Sequence, residues 1–556
     1  MHHSEGVQKI CQALGLEQLR QFLGNHGYSI APFGLNEISS SLLLSPSMHA
    51  DTLHDMNDPL GKWLFPSPSG EGTLLTAGYR VWKSNSSQAN ASQQDADGQS
   101  DLTGEIVQLL NTNQEHFRQA YNLPLVATMP NWLSAGAPVD CLIHGGPATP
   151  PIPATEKCAD WHFTLPDLSP ALQKSTGKGV TVFILDTIPT TEQISTAVRG
   201  AGSGNRLLKR IAERIADGSI VIHHNTLPGA LKESAQDLMV TGKDIYGHLA
   251  YFQMPDHGLF VAGIVQDLAP EARIECVRVL NDYGAGNMAV LLAALQQIQQ
   301  RMESGDLSGK PVVINLSLTV SPSHETLPLV WTDAIKADSV SGENLELLRS
   351  PLHMVLQSLT SLGAVIVAAA GNDSDPRDTS LPMRGLRMNP RYPASFPEVI
   401  SVGAVDSHGS AARYSNYPSL PTQHNGIATY GGELPESISS GSEMTKVTKI
   451  DAPRGVYSSP VYPALSRDDA QESYKVTPQT TWAYWSGTSF ATPIISAVAS
   501  RILQQLQDRG VPAQQWYTTT FNAITTSQGQ EDVLGHTLTT QKEFKVGLLK
   551  ATQSCS

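Results

Sequence analysis

Four polar side chains of this 556-residue chain stand where apolar runs end or helices begin. VTVFIL (180–185) runs into Asp186, and AVIVAAA (364–370) runs into Gly371 and Asn372. His257 opens the small-residue stretch of DHGLFVAGIV (256–265), and Ser489 lies in YWSGTSFATPIIS (484–496), where a helix reads as starting. An acid, an imidazole, a hydroxyl and an amide are the parts of nucleophilic acyl transfer. A serine hydroxyl attacks only when a neighbouring imidazole takes its proton, and a carboxylate must fix that imidazole's tautomer. The oxyanion then needs preorganised donors, here a backbone N–H at the Ser489 helix start and the Asn372 amide, helped by the helix dipole. Singly, each residue has a plainer role: Asp186 as a loop cap, His257 as structural, Asn372 as a turn residue. Ser489 alone reads as an N-cap, with Pro493 in the first turn where a missing N–H costs little.

The elements that must position these groups follow from the apolar patterning. The runs at 180–185, 274–280, 312–318, 364–370 and 399–405 are short and β-branched, as suits strands buried on both faces. Helical patterns lie between them. NMAVLLAALQQIQQRM (287–302) places Met288, Leu291, Leu292, Leu295 and Ile298 on one face, and SPLHMVLQSLTSLG (350–363) offers Ser350 as N-cap with Pro351 at the first helical position. The fold class is therefore α/β, a mainly parallel sheet flanked by helices, preceded by an N-terminal α+β region. Functional groups of such sheets gather beyond the C-terminal strand ends.

Residues 1–140 form the N-terminal region. It has helical spacing at 7–24 and 105–121, a strand at 73–82, and a low-complexity stretch at 84–101 that reads as a disordered linker. A Pro/Gly-rich joint covers 141–165, a catalytic domain 166–510, and a C-terminal extension 511–556. The net charge of -14 argues against nucleic acid and anionic membrane surfaces as partners. The five cysteines are scattered, suggesting neither a disulfide framework nor a zinc site. With no signal peptide or apolar span legible, a cytoplasmic location is expected, leaderless export being left open.

The local sequences add a family likeness. GTSFATP (487–493), HGLFVAG (257–263) and VFILDT (182–187) resemble the serine, histidine and aspartate segments of the subtilisin-like serine proteases, the subtilases. The chain order Asp186, His257, Ser489 is the order that family uses. AAAGN (368–372) resembles its oxyanion-hole strand end. VRVLNDYGAGN, INLSL, RYPASFPEVISVGAVDS, YSNYP and DAPRGVYS look like further segments in order, over about 170–505.

The resemblance implies a serine endopeptidase in which Ser489 attacks, His257 is general base and then acid, Asp186 orients His257, and Asn372 donates to the oxyanion. It implies that Gly284, Ala285 and Gly286, with Leu316, Ser317 and Leu318 opposite, hold a polypeptide substrate as an added strand. Asp373 would lie near the first specificity pocket, as a charge favouring a basic residue or as a solvated loop acid. No metal enters the chemistry; structural calcium is common in the family, and no ligand set is assigned here. The N-terminal region is expected to be an inhibitory propeptide or a permanent interaction domain. The departures are Ile188-Pro189 after Asp186-Thr187, Leu259-Phe260 after His257-Gly258, Thr319-Val320 after INLSL, and an inserted helix and strand at 204–238. The altered turn after Asp186 supports a rival reading, a peptide-binding pseudoprotease; a peptide ligase on the same triad is a third.

Overall fold

The computed structural model describes residues 16–32, 79–83, 103–121, 129, 133–135, 149–154, 156–224, 253–320, 327–335, 340, 342–374, 386–434, 436–440, 443–460, 462, 481–525 and 538–556. The expected linker at 84–101 lies outside them. In the N-terminal region, β1 (Tyr28–Pro32) and β2 (Tyr79–Lys83) pair antiparallel. The helix expected over 105–121 is two helices, Thr103–Thr112 and Gln114–Tyr121. Asn113 breaks it by donating its side-chain amide to the Leu109 carbonyl at 2.8 Å, in competition with the helical bond. Val107 of the first helix packs with Leu327, Trp331 and Leu348. The region's last described segment is β3 (Leu133–Ala135).

Next come β4 (Ile152–Pro153) and β5 (Trp161–Thr164), so the joint is in part structured. The main sheet takes β6 (Thr181–Asp186), β7 (Ile220–His223) and β8 (Arg273–Arg278), while β9 (Ala285–Asn287) stands apart. β10 (Val312–Leu316) returns to the sheet, β11 (Thr319–Val320) leaves it, and β12 (Val365–Ala369), β13 (Ile400–Val405) and β14 (Gly426–Tyr430) continue it. A hairpin of β15 (Glu436–Ser440) and β16 (Glu443–Lys449) precedes β17 (Arg454–Val456) and β18 (Trp482–Tyr484). The chain ends with β19 (Thr539–Gln541), β20 (Val546–Leu549) and β21 (Thr552–Cys555).

The main sheet runs β19-β20-β14-β13-β12-β10-β6-β8-β7, with every neighbouring pair parallel except β19 and β20. Both faces are covered, as its unbroken apolar strands require. Val182 and Ile184 of β6 face one core with the helices His257–Leu268 and Thr488–Asp508. Phe183 and Leu185 face the other, with Met288, Leu291, Leu292, Leu295 and Ile298 of the helix Met288–Ser304. The inserted helix is Arg206–Ala216, and β7 after it widens the sheet at one edge. The stretch read as a C-terminal extension is integral, because β20 lies against β14. Ser350 is the first residue of its helix rather than the cap: its hydroxyl donates back to the Glu346 carbonyl at 3.0 Å, and Arg349 takes the cap position.

Cys158 and Cys555 form a disulfide, against the expectation of none. The antiparallel pairing of β5 with β21 brings these residues together across 397 positions, a link no local spacing could reveal. The case for a reducing cytosolic compartment loses its ground with it, since disulfides persist in oxidising surroundings. Among the described residues no helix is long and apolar enough to cross a membrane.

Candidate active site

Asp186 is the last residue of β6, and the neighbouring strands β10 and β12 lead into Ser317 and into Gly371-Asn372. Their C-terminal ends thus bring the candidates to one place. Asp186 Oδ1 accepts two hydrogen bonds, from His257 Nδ1 at 2.7 Å and from the Thr187 N–H at 2.6 Å. His257 is fully buried as the first residue of its helix.

The unusual turn after Asp186 serves this pair. Thr187 Oγ1 donates towards the Met254 and Pro255 carbonyls and accepts the Gly258 N–H at 3.2 Å, clamping the histidine segment from both sides. The backbones meet so closely that a Cβ on Gly258 would lie 1.9 Å from the Thr187 carbonyl oxygen. Ile188 is buried in the core, and Thr190 forms a capping box with Gln193 at the next helix. An Ile-Pro turn here is compatible with a firmly held histidine.

Ser489 is the second residue of the helix Thr488–Asp508, so its N–H is among the four with no partner inside the helix. Pro493 is the sixth residue, one turn deeper than expected. Lacking an N–H, it leaves the Ser489 carbonyl without its helical partner. Ser317 supplies the replacement: its hydroxyl donates to that carbonyl at 2.8 Å. Asn315 donates to Ser317 Oγ and accepts from Ser496 Oγ, each at 2.9 Å, completing a buried polar chain beneath the helix start. The Ser489 hydroxyl donates to the Ser317 carbonyl at 3.3 Å, and His257 Nε2 is buried without a hydrogen-bond partner. Imidazole and hydroxyl therefore share no hydrogen bond, as is common for a base and a nucleophile when no substrate is aligned.

Asn372 Oδ1 accepts from both the N–H and the hydroxyl of Thr488, each at 3.0 Å, which leaves the amide's donor end on the opposite side. Gly371, at φ 108°, makes the turn that delivers it and donates its N–H to Thr488 Oγ1 at 3.3 Å. Asp373 is neither a pocket charge nor a solvated acid. It is buried in a two-pronged pair with Arg391, both contacts 2.9 Å, and also accepts from Asn416 at 2.7 Å.

The expected strand site is occupied. β3 lies between β9 and β11, antiparallel to both, with Ala135 opposite Ala285 and Thr319 and Ser134 opposite Gly286 and Val320. Ala285 and Gly286 are thus on the pairing edge, and Gly284, at φ 70°, makes the turn before it. On the other side the edge is Thr319–Val320. Leu316 belongs to β10 and, like Leu318, is core, while Ser317 serves Ser489. Three residues without periodicity carried no sequence signal for β3.

Sequence reasoning also missed an aromatic cluster and a buried acid. Trp485 stands edge-on to the His257 ring with centroids 5.3 Å apart, and Phe490 and Phe260 complete the group. Asp256, next to His257, accepts from the Ser458 hydroxyl and from the Ser459 N–H at 2.7 Å. Complete burial nevertheless pushes its carboxyl up to about 6.

A sequence model described as the subtilase family matches residues 177–542, which contain Asp186, His257, Asn372 and Ser489. The chain belongs to the subtilase family. Among curated subtilases it is similar to serine protease AprX of Bacillus subtilis (strain 168), 27% identical over 252 residues, 45% of this chain and 46% of that one. Subtilisin E of the same organism is 25% identical over 258 residues, again 45% and 46%. The chain thus spans about half the length of these relatives. A solved structure, the prenylagaramide maturation protease PagA, is 18% identical with a TM-score of 0.35, covering 68% of this chain and 96% of that one.

Proposed function

We propose that this subtilase is a serine endopeptidase acting through Asp186, His257 and Ser489, with Asn372 and the Ser489 N–H as oxyanion donors. The observation that carries the reading is β3, an extended backbone paired antiparallel with two edge strands. One of those edges begins two residues after the carbonyl to which the Ser489 hydroxyl is bonded. A cleft that takes a strand reads backbone first, which suits polypeptide substrates. His257, held by Asp186 at 2.7 Å, would take the Ser489 proton once that hydroxyl leaves the Ser317 carbonyl, and return it to the leaving amine. The helix-start N–H and the Asn372 amide would hold the oxyanion.

The N-terminal region is read as an inhibitory propeptide, since its own strand pairs with the two edges proposed to hold substrate. The pseudoprotease reading rested on the turn after Asp186, and that turn clamps His257, so nothing favours it. The test is the mass of the purified full-length chain, wild type against Ser489→Ala. Self-cleavage a few residues beyond Ala135 in the wild type, abolished by the substitution, is the expected result. Fluorophosphonate labelling that persists in Ser489→Ala, or a wild type that neither cleaves itself nor labels, would sink the assignment.

A further inference from the structure

We propose that Trp485 is a positioning residue for His257, wedged between the imidazole and a strap of chain, residues 149–154 and 156–164, that the Cys158–Cys555 disulfide ties down. This rests on the reading above only in taking His257 as the base.

The Asp186 bond holds one end of the imidazole and leaves the ring free to swing about that bond. The ring faces are set by their neighbours. Trp485 meets His257 at an interplanar angle of 88°, and Phe490 lies with its centroid 5.2 Å from it. Trp485 in turn packs on Phe490 at 5.1 Å and on Phe260 at 5.7 Å. Phe260 is itself seated tightly, since a Cβ on Gly455 would come within 2.6 Å of its ring. An indole this deeply buried needs a partner for its N–H. That partner is the Thr149 carbonyl, at 2.6 Å. Thr149 Oγ1 also accepts the Ser486 N–H at 3.4 Å.

Thr149 belongs to the strap rather than to the core of the sheet. Ile152 and Pro153 pair with Tyr484 and Ala483, immediately before Trp485. Trp161 to Thr164 pair with the C-terminal strand, and Arg454 stacks over both Trp161 and Tyr484 at 4.1 and 4.4 Å. The disulfide closes this arrangement covalently. Contacts therefore run from the disulfide-tied segment 156–164 through Arg454 to Tyr484, and from Thr149 through the Trp485 N–H to the imidazole whose Nε2 must meet Ser489. Small misplacements of a catalytic group cost rate steeply, which is what gives such a wedge its effect.

The test uses the full-length chain, with Trp485→Phe, which keeps a ring and loses the N–H, and with the double variant Cys158→Ser/Cys555→Ser, which frees the strap. The first reading is the far-downfield proton resonance of the His257 Nδ1–H, recorded in a Ser489→Ala background to prevent self-digestion. The second is kcat against KM on a peptide substrate. Both variants are expected to shift or broaden the resonance and to lower kcat about tenfold with KM unchanged. A Trp485→Phe protein whose resonance and kcat match the wild type overturns the proposal, as does one that loses only thermal stability. If Trp485→Phe does not fold, the double cysteine variant decides by the same readings. Absence of hydrolysis in every protein would count against the endopeptidase reading alone, because the resonance reports His257 without turnover.

Discussion

Ser317 grips Ser489 twice, its hydroxyl donating to the Ser489 carbonyl and its own carbonyl accepting the Ser489 hydroxyl. The first bond exists because Pro493 cannot donate to that carbonyl; the second holds the Ser489 hydroxyl two residues before β11. One residue thus couples the start of the serine helix to the strand that pairs with β3.

Ser317→Ala is expected to cost about 1–3 kcal/mol by leaving a buried carbonyl unsatisfied. Pro493→Ala restores an N–H to that carbonyl, so the two effects should couple. Urea midpoints for the single and double variants, in a Ser489→Ala background, would show the pair losing clearly less than the sum. Simple additivity would mean that the proline and the serine are unrelated.

The Asp256 carboxyl predicts a pH dependence of stability. In the folded chain it holds its proton up to about pH 6, whereas in the unfolded chain it ionises near its ordinary value of about 4. The unfolded state therefore binds fewer protons between those values, and stability falls as pH rises through that window, by about 3 kcal/mol, then levels off. In Asp256→Asn the amide can donate to Ser458 while its oxygen accepts from the Ser459 N–H, and this contribution disappears. Urea midpoints from pH 4 to 8 should show the variant gaining on the wild type towards neutrality; parallel curves would refute the assignment.

Asp373 is already neutralised by Arg391, so a cleavage profile on a peptide library should show no enrichment of Lys or Arg on the N-terminal side of the cut bond. Asp373→Asn should leave that profile alone and destabilise the chain by about 3–5 kcal/mol, by stranding a buried guanidinium. A basic preference that the substitution removes would reinstate the pocket charge.

Gly258→Ala drives a methyl into the Thr187 carbonyl and must displace His257 from Asp186. Peptide hydrolysis should fall by at least about a hundredfold, with fluorophosphonate labelling slowed in parallel. Near-normal labelling would show that the backbone yields without moving the imidazole.

The four polar candidates were legible because each sits at a strand end or helix start inside a short, patterned segment. The parallel sheet was legible because its strands are apolar on both faces. Pro493 was misjudged by one turn because its cost is met by Ser317, some 170 positions away, which no helix rule contains. Asp373 was misread because its partner Arg391 arrives through the fold. β3 was invisible since backbone pairing needs no side-chain pattern. The disulfide was missed because its two cysteines are 397 positions apart in the chain.

That disulfide also makes a closed covalent ring of everything between residues 158 and 555. β3 lies outside the ring, so severing the chain after it releases the N-terminal region while the ring stays whole. A single nick inside the ring, by contrast, yields no separate piece. A chain clipped once in a surface loop inside the ring would remain one molecule, betrayed as two fragments only after reduction.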